Sequence, residues 1–329
     1  MRKKSALLFA IALPLAIGAV LLFRIPDFHS SPHPAENFEQ AKELFENLRR
    51  TESLLPLSPE GASRILDHGK KTPRAFVLLH GLTNCPEQFL PLARILHAQG
   101  ANVIIPRARY AGFADRLNTV QGHQSGQDLL DQAAAGLDIA AGLGDRVSLV
   151  GLSGSAVAGT WMAQHRDGVG EMVLIAPFFS LDGVPAPLID AGAALLSRFP
   201  NFYQWWDSEK KENLAGPKYA YPRFGTRCMA STIQLSRDVR ENLANLPLRA
   251  GKIDFLITAT DAAANNLLTK KIAAELSKSN TVPVSIEEFP AELKIPHDMV
   301  DPSQPNANTE IAYKKILELL DMNGPASAE

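Results

Sequence analysis

The sequence predicts an α/β fold: a mostly parallel sheet covered by helices on both faces, with an inserted lid, behind one N-terminal membrane-spanning segment. Three observations support this prediction. Short apolar runs alternate with helical patterns of about 10 to 15 residues, which is typical of a buried parallel sheet. An aromatic-rich stretch interrupts this alternation between residues 177 and 247. A charge-free apolar run occupies residues 6–23.

The composition excludes several classes of protein. The chain has 329 residues, of which 46% are hydrophobic and 21% are charged, and its formal net charge is −2. This much apolar material argues against disorder, and the lack of a basic excess argues against a nucleic-acid partner. A single long apolar run argues against a polytopic membrane protein. The two cysteines exclude a disulfide-dense fold and a four-cysteine zinc site.

The N-terminal segment has the features of a membrane anchor. Cations at positions 2–4 precede the run 6–23, which as a helix would span about 27 Å, close to the thickness of a bilayer core. The run exits into 24–28 (Arg-Ile-Pro-Asp-Phe) without the small-residue site of a cleaved signal. We therefore expect an uncleaved signal anchor at 1–24 and an extracytoplasmic body, periplasmic in a Gram-negative cell. A cleaved signal and a secreted protein is the alternative.

Residues 25–73 are predicted to form a linker, an amphipathic helix and an edge segment. The sequence Ser-Ser-Pro-His-Pro at 30–34 is typical of an extended linker. The apolar residues that follow recur at helical spacing: Phe38, Ala41, Leu44, Phe45 and Leu48. This pattern predicts a short helix ahead of the sheet.

Two blocks, 74–177 and 249–322, are predicted to form the core on either side of a lid or cap insert at 178–248. Continuous apolar runs predict strands at 75–79, 103–106, 146–151, 171–176, 253–259 and 284–289. Helical patterns are found at 87–100, 128–143 and 310–320. Because the strands are apolar on both faces, helices are expected above and below the sheet.

The insert is rich in aromatic residues: Phe178, Phe179, Phe199, Phe202, Tyr203, Trp205, Trp206, Tyr219, Tyr221 and Phe224. Its position between two strands makes it a candidate cap over a site at the carboxyl ends of the strands. Most of these rings are expected to fill the small core of the insert itself.

A serine at the end of one predicted strand is the candidate nucleophile. The strand runs into Gly151-Leu152-Ser153-Gly154-Ser155, followed by an alanine-rich helical stretch. A sharp strand-to-helix turn requires small residues two positions before and after the nucleophile, and Gly151 and Ser155 satisfy this requirement. The turn would place Ser153 at a helix N-terminus, where the helix dipole favours negative charge.

The end of the first core strand supplies the candidate oxyanion site. His80, Gly81 and Leu82 follow this strand, where a backbone amide can face the nucleophile. We expect the amides of Leu82 and Gly154 to stabilise an oxyanion. His80 is expected to support this loop by hydrogen bonding rather than to act as the general base.

Two further residues complete a candidate triad. Of the eight histidines, His297 alone follows the last predicted strand, in a loop that leads into a helix. Asp261 directly follows the strand at 253–259 and is the candidate that orients His297. The order Ser…Asp…His is the one expected for a nucleophile at this kind of turn. Glu288 is the reserve acid, although it lies within a predicted strand.

These segments together resemble the α/β-hydrolase superfamily. The matching segments are 80–83 (His-Gly-Leu-Thr), 151–155, 260–261 and 296–298, and the resemblance covers roughly residues 74–320. The loop at 78–89 is similar to that of carboxylesterases, monoacylglycerol lipases and serine aminopeptidase-like proteins. The resemblance implies an α/β-hydrolase fold with an inserted lid.

The resemblance also implies that Ser153 is the nucleophile, His297 the base and Asp261 the residue that orients the base. The sequence departs from the superfamily in two places. Cys85 is unusual in the loop at 78–89, which carries the candidate oxyanion site and is called the oxyanion loop below. In addition, 107–112 (Arg-Ala-Arg-Tyr-Ala-Gly) replaces a common Gly-His-Gly. The departures bear on the substrate rather than on the mechanism.

The sequence therefore predicts a serine hydrolase that cleaves small-molecule or lipid esters with short to medium acyl chains, and that requires no metal or organic cofactor. An envelope acyltransferase or serine aminopeptidase with the same triad is one alternative. A catalytically retired, membrane-tethered binding protein is another. Because the predicted compartment permits disulfides, Cys85 and Cys228 are a candidate bridge, with two buried thiols as the alternative.

Overall fold

The computed structural model describes residues 24–211, 214, 216–279 and 281–322. The apolar run at 6–23, on which the predicted membrane anchor depends, lies outside these residues. In the described part of the chain, no helix has both the length and the apolar character needed to cross a bilayer.

A seven-stranded sheet forms the centre of the described structure. Its strands are β1 (Arg64–Leu66), β2 (Thr72–Leu79), β3 (Asn102–Ile105), β4 (Gly144–Leu152), β5 (Glu171–Ile175), β8 (Lys252–Thr258) and β9 (Val284–Phe289). Their order is β1-β3-β2-β4-β5-β8-β9, and β1 alone pairs antiparallel with its neighbour. The predicted mostly parallel sheet is confirmed.

Helices cover both faces of the sheet. They are α1 (Phe38–Glu52), α2 (Leu90–Ala98), α3 (Gly126–Leu143), α4 (Gly154–His165), α5 (Ala186–Leu196), α6 (Thr226–Glu241), α7 (Asn266–Ser279) and α8 (Thr309–Leu319). Successive residues of a strand point to opposite faces. Accordingly, Val77 and Leu79 pack in the core beneath α3 and α4, whereas Phe76 and Leu78 pack in the core beneath α2 and α8.

The register of the sheet brings the predicted site segments to one edge. Leu79, the last residue of β2, pairs with Gly151, and Leu152, the last residue of β4, pairs with Ile175. Further along the sheet, Thr258 ends β8. The loops that leave these strands therefore begin next to one another, as the parallel arrangement requires.

The insert between β5 and β8 differs in part from the sequence prediction. It contains a small hairpin of β6 (Tyr203–Trp205) and β7 (Arg223–Gly225), together with helices α5 and α6. The alternation of strands and helices was expected to stop across this whole stretch. Helix α6 belongs instead to the main core, into which Ile233, Leu235 and Val239 pack. Most of the other residues of this helix are polar. We use the name cap for the part of the insert that precedes α6, residues 178–225.

Candidate active site

Ser153 occupies a strained turn between β4 and α4. Its backbone dihedrals are φ 59° and ψ −120°, a conformation that non-glycine residues rarely adopt. Two hydrogen bonds hold this conformation: the Ser153 amide donates to the Ile175 carbonyl at 2.9 Å, and the Phe178 amide donates to the Ser153 carbonyl at 3.2 Å. The turn is so tight that a Cβ atom on Gly151 would lie 3.0 Å from the Ser155 carbonyl oxygen. A small residue is required there.

His297 and Asp261 form a hydrogen bond of 2.7 Å between Nδ1 and Oδ2. The Asp261 side chain is fully buried, and its Oδ1 accepts the amides of Ala263 at 2.8 Å and Ala264 at 3.0 Å. An ionised carboxylate only accepts hydrogen bonds, so Nδ1 of His297 carries the proton and donates it. The other ring nitrogen, Nε2, is then the basic nitrogen of the neutral ring.

The environment shifts the pKa values of both residues in favour of the charged pair. Burial acts to raise the pKa of Asp261, but the hydrogen bond and charge of His297, with the amides of Ala264 and Ala263, outweigh it and hold the pKa below its usual range. Burial acts to lower the pKa of His297, but Asp261 and the charge of Asp298 outweigh it and raise the pKa. Asp261 therefore stabilises a protonated imidazole.

Leu82 and Gly154, whose backbone amides are the candidate oxyanion donors, line the same cavity as Ser153 and His297. Among the residues that the structure describes, neither amide has a hydrogen-bond acceptor. Gly154 begins α4, so its amide belongs to the positive end of the helix dipole. Two unpaired donors beside a serine can bind an oxygen that becomes negatively charged.

His80 supports the loop that carries Leu82. Its Nδ1 donates to the Gly81 carbonyl at 2.9 Å, and its Nε2 accepts the Ala108 amide at 3.1 Å, so both ring nitrogens are occupied. Burial, with the charge of Arg107, lowers the pKa of His80 to about 4, so the ring is neutral. The Ser155 hydroxyl donates to the His80 carbonyl at 2.7 Å and ties this loop to α4. This geometry is that of a structural residue rather than of a base.

The cavity has a volume of about 370 Å³. Its apolar walls come from the core and the cap: Leu82, Phe178, Trp206, Pro217, Ala220, Tyr221, Met229 and Ala263. Its polar groups include Asn84, Asp207, Lys210, Asp298 and Gln304. The sequence prediction gave Asp298 no role, although its position directly after His297 could have indicated that its charge acts on the imidazole.

The cap contacts the oxyanion loop directly. Trp206 Nε1 donates to Thr83 Oγ1 at 3.0 Å, and the Tyr221 amide donates to the Thr83 carbonyl at 2.8 Å. Tyr221 is buried, and its hydroxyl donates to the Tyr110 carbonyl at 2.9 Å. These hydrogen bonds hold the cap against Thr83, the residue that follows Leu82.

The predicted disulfide is wrong. Cys85 and Cys228 are both free and buried. The Cys85 thiol lies 3.6 Å from the Glu60 carbonyl, whereas the Cys228 thiol on α6 lies 3.7 Å from Gln124 Oε1. Each thiol is packed among different neighbours, which is the physical reason that no bridge forms. Burial raises the pKa of both thiols, that of Cys85 to about 12.

The reserve acid, Glu288, lies away from His297. Its carboxylate accepts from Lys270 Nζ at 2.7 and 2.9 Å on the surface of β9 and α7. It does not line the cavity. The structure thus brings His297 together with Asp261 and not with Glu288.

Comparison with known proteins supports the same fold. The residues 76–292 match a family described as the alpha/beta hydrolase family. No curated protein matches the chain at a significant level. Solved structures of similar fold include one reported for LipS and LipT, two metagenome-derived lipolytic enzymes, with 16% identity and a TM-score of 0.61, covering 80% of this chain and 99% of that chain.

Two further structures are similar at this level. A monoacylglycerol lipase from Paleococcus ferrophilus has 16% identity and a TM-score of 0.57, covering 79% of this chain and 98% of that chain. A soluble variant of the monoglyceride lipase from Saccharomyces cerevisiae, in complex with a substrate analog, has 12% identity and a TM-score of 0.59, covering 79% and 90%. At these identities the likeness concerns the fold. With the family match over most of the core, the chain belongs to the alpha/beta hydrolase family.

Proposed function

We propose that the protein is a serine hydrolase that cleaves carboxylic esters through an acyl-enzyme intermediate. The observation that carries this proposal is the 2.7 Å hydrogen bond between His297 Nδ1 and Asp261 Oδ2, because His297 lines the same cavity as Ser153. A nucleophile, a base and a group that orients the base are the parts that acyl transfer through a serine requires. The lipolytic proteins of similar fold are consistent with ester substrates.

In the acylation step, Ser153 Oγ attacks the ester carbonyl carbon while His297 Nε2 accepts the hydroxyl proton. The carbonyl oxygen gains negative charge and is bound by the amides of Leu82 and Gly154. His297 then gives the proton to the departing alkoxide, which leaves as an alcohol. Asp261 holds the tautomer of the ring and stabilises its protonated form throughout.

In the deacylation step, His297 takes a proton from water, and the hydroxide attacks the acyl carbon. The carboxylic acid leaves, and the proton returns to Ser153. The apolar walls of the cavity suit a hydrocarbon acyl chain, and its volume of about 370 Å³ lies at the low end of the range of small-molecule sites. We therefore propose acyl chains of short to medium length.

A matched pair of proteins tests the proposal. Wild type and Ser153→Ala are compared on p-nitrophenyl esters from acetate to palmitate, with the unfolding midpoint of each measured as the control for folding. We expect wild-type turnover to be highest for short to medium chains and Ser153→Ala turnover to be lost. Turnover retained by Ser153→Ala would contradict the assignment of the nucleophile.

Two additions to this experiment separate the alternatives. Release of an amine from amide substrates reveals an aminopeptidase, whereas transfer of the acyl group to an added alcohol or amine, which yields a new ester or amide, reveals an acyltransferase. A fluorophosphonate probe labels an activated serine whatever the physiological acceptor is. Absence of labelling at Ser153 in the folded protein would favour a retired binding protein.

We also propose, from the sequence, that residues 1–24 anchor the protein in a membrane with its body outside the cytoplasm. The charge-free run at 6–23 after the cations at 2–4 supports this proposal. Fractionation of the full-length protein with alkaline extraction tests it, and N-terminal sequencing decides whether the segment is cleaved. Recovery in the soluble fraction with the N-terminus intact would overturn the anchor.

A further inference from the structure

The alcohol part of an ester substrate has a defined place in the candidate active site. In the proposed acylation step His297 gives its proton to the departing alkoxide, so the alkoxide oxygen must lie within hydrogen-bond distance of His297 Nε2. The carbonyl oxygen lies instead at the amides of Leu82 and Gly154. The alcohol is therefore the part of the substrate that meets the wall of the cavity beside His297.

The wall of the cavity beside His297 is polar. Asp298 follows His297 in the chain and lines the cavity with it. Gln304 lines the cavity as well, and its Nε2 donates to Asp298 Oδ2 at 2.7 Å. Asn84 of the oxyanion loop also lines the cavity and lies close to the same segment, because its side chain interacts with Asp301. We call Asn84, Asp298 and Gln304 the polar wall.

An apolar wall lies across the cavity from the polar wall. Leu82, Phe178 and Met229 line the cavity and pack in the core beneath α3 and α4. The residues after Asp298, at 299–300, pack instead in the core on the other face of the sheet. The two walls therefore lie towards opposite faces of the sheet. An ester held between them has its hydrocarbon acyl chain against the apolar wall and its alcohol against the polar wall.

Asp298 is the ionisable group of the polar wall. In the described part of the chain it forms no ion pair with a lysine or an arginine. Its pKa is raised, because burial and the charge of Asp261 outweigh the lowering effects of His297 and the Gln88 side chain. A carboxylate in such surroundings is stabilised by a cation placed next to it, since the cation replaces part of the solvation that burial removes.

The other charged groups of the cavity already have partners. Among the described residues that line the cavity, Lys210 is the one lysine or arginine, and its Nζ lies 3.0 Å from Asp207 Oδ2. Asp261 accepts hydrogen bonds from His297 and from two backbone amides. When His297 becomes protonated, Asp261 balances its charge at Nδ1. Asp298 is thus the carboxylate that remains to interact with a charge on the substrate.

We propose that Asp298 selects the alcohol part of the substrate, and that the preferred substrates are esters of amino alcohols, whose cationic amine binds at the polar wall. The hydrogen bond from Gln304 holds the Asp298 carboxylate in place for this contact. A neutral alcohol lacks the attraction, and an anionic alcohol is repelled by the same carboxylate. The inference rests on the proposed function, because the place of the alcohol follows from the role of His297 as the acid.

A matched set of butyrate esters tests the selection. Their alcohols are 2-(dimethylammonio)ethanol, 3-methylbutanol and 3-hydroxypropanoate, which are similar in size and carry a positive charge, no charge and a negative charge at neutral pH. The full-length protein is assayed with each ester at low ionic strength. We expect kcat/KM for the cationic ester to exceed that for the neutral ester about 10-fold, as one charge-assisted contact allows. The anionic ester should be hydrolysed more slowly than the neutral one.

Variants show whether Asp298 is responsible for this preference. Asp298→Asn removes the charge and keeps the shape, so the ratio of the cationic to the neutral ester should fall to about 1, whereas Asp298→Glu should keep the preference. Comparison of esters within one variant cancels any general effect of the substitution on kcat. Asp145→Asn removes an exposed charge outside the cavity, and Asp207→Asn with Lys210→Met removes the neutral pair inside it. Both controls should leave the ratio unchanged.

Two results would overturn the inference while leaving the proposed function intact. Equal kcat/KM values for the three esters in wild type would show that the cavity does not select a cation. A cation preference that survives in Asp298→Asn would assign the selection to another group. Failure of the proposed function has a different result, because wild type would then hydrolyse neither these esters nor p-nitrophenyl acetate, and the inference would fall with it.

Discussion

Glu52 and Arg107 form a buried ion pair that joins α1 to the loop after β3. Glu52 Oε1 lies 3.2 Å from Arg107 Nε, and the two side chains are only 1% and 8% exposed. Arg107 precedes Ala108, whose amide donates to His80, the residue that supports the oxyanion loop. Helix α1 is outside the region of the family match, yet one chain of contacts connects it to the candidate active site.

Replacing Glu52 with glutamine should destabilise the protein and slow hydrolysis. The substitution keeps the shape of the side chain but leaves Arg107 with an uncompensated buried charge, for which we expect a loss of about 3 kcal/mol in the free energy of unfolding. The loss is measured by chemical denaturation. Arg107 is followed by Ala108, whose amide donates to His80. Because a shift of this segment would also move His80, we expect kcat to fall at a temperature where the variant is fully folded.

The exposed pair of Lys71 and Asp145 is the control for this prediction. Their side chains are 40% and 71% exposed, so Asp145→Asn should change the free energy of unfolding by less than about 0.5 kcal/mol. Similar losses in the two variants would show that burial of the Glu52 pair has no special effect.

The strained backbone at Ser153 predicts an unusual order of stabilities. Glycine adopts a φ of 59° without the steric cost that a Cβ atom imposes. We therefore expect Ser153→Gly to be more stable than Ser153→Ala by about 1 kcal/mol in chemical denaturation, although we expect both variants to be inactive. In an ordinary helix the order is the reverse, so Ala274→Gly on the exposed side of α7 should lose about 1 kcal/mol. Alanine more stable than glycine at position 153 would argue against strain in the turn.

The pH dependence of hydrolysis should follow the protonation of His297. The ring accepts a proton only when neutral, and its pKa is raised above the usual 6.5 because Asp261 and Asp298 outweigh the effect of burial. The rate should therefore rise with pH through a midpoint above 6.5, and a pH profile of kcat/KM measures it. A midpoint below 6.5 in wild type would contradict the role of Asp261.

Two variants separate the contributions of these carboxylates. Asp261→Asn should lower the midpoint and reduce kcat by a factor of about 10⁴, because it removes both the charge and the correct tautomer. Asp298→Asn removes a charge alone, so it should lower the midpoint by less and retain most of kcat. Equal effects of the two substitutions would contradict the assignment of Asp261 as the residue that orients His297.

The thiols of Cys85 and Cys228 should be unreactive in the folded protein. Both are buried, and with a pKa of about 12 Cys85 has only about one thiolate in 10⁴ at pH 8. We expect Ellman's reagent to detect two thiols only after unfolding in guanidinium chloride, with or without prior reduction. Detection of the two thiols only after reduction would instead show that Cys85 and Cys228 form a disulfide.

Trp206 should affect catalysis through the oxyanion loop. Trp206→Phe keeps the aromatic ring in the cavity but removes the hydrogen bond of 3.0 Å to Thr83, the neighbour of Leu82. A lost hydrogen bond of about 1 kcal/mol corresponds to a decrease of about 5-fold in kcat/KM on a soluble ester. Trp205→Phe is the matched control, since Trp205 contacts Arg223 rather than the oxyanion loop. Equal activity of both variants would show that the cap does not position the loop.

Much of the fold can be predicted from the sequence because a buried strand requires a continuous run of apolar residues, which is visible locally. The runs at 75–79 and 171–176 coincide with β2 and β5 to within a few residues, since strands buried on both faces are apolar throughout. The three-residue strand β1 is too short to produce such a pattern. Helix α6 was missed because one apolar stripe suffices to pack it, and the remaining positions are polar.

The sequence by itself determined which residues are available at strand ends: Ser153, Asp261, His297 and the loop at 80–82. Their spacing along the chain follows from the lengths of strands and helices. Only the tertiary structure decided which of them meet, because contacts between distant segments depend on register and packing. It placed His297 against Asp261 rather than Glu288, kept Cys85 apart from Cys228, and seated Arg24 against the cap helix.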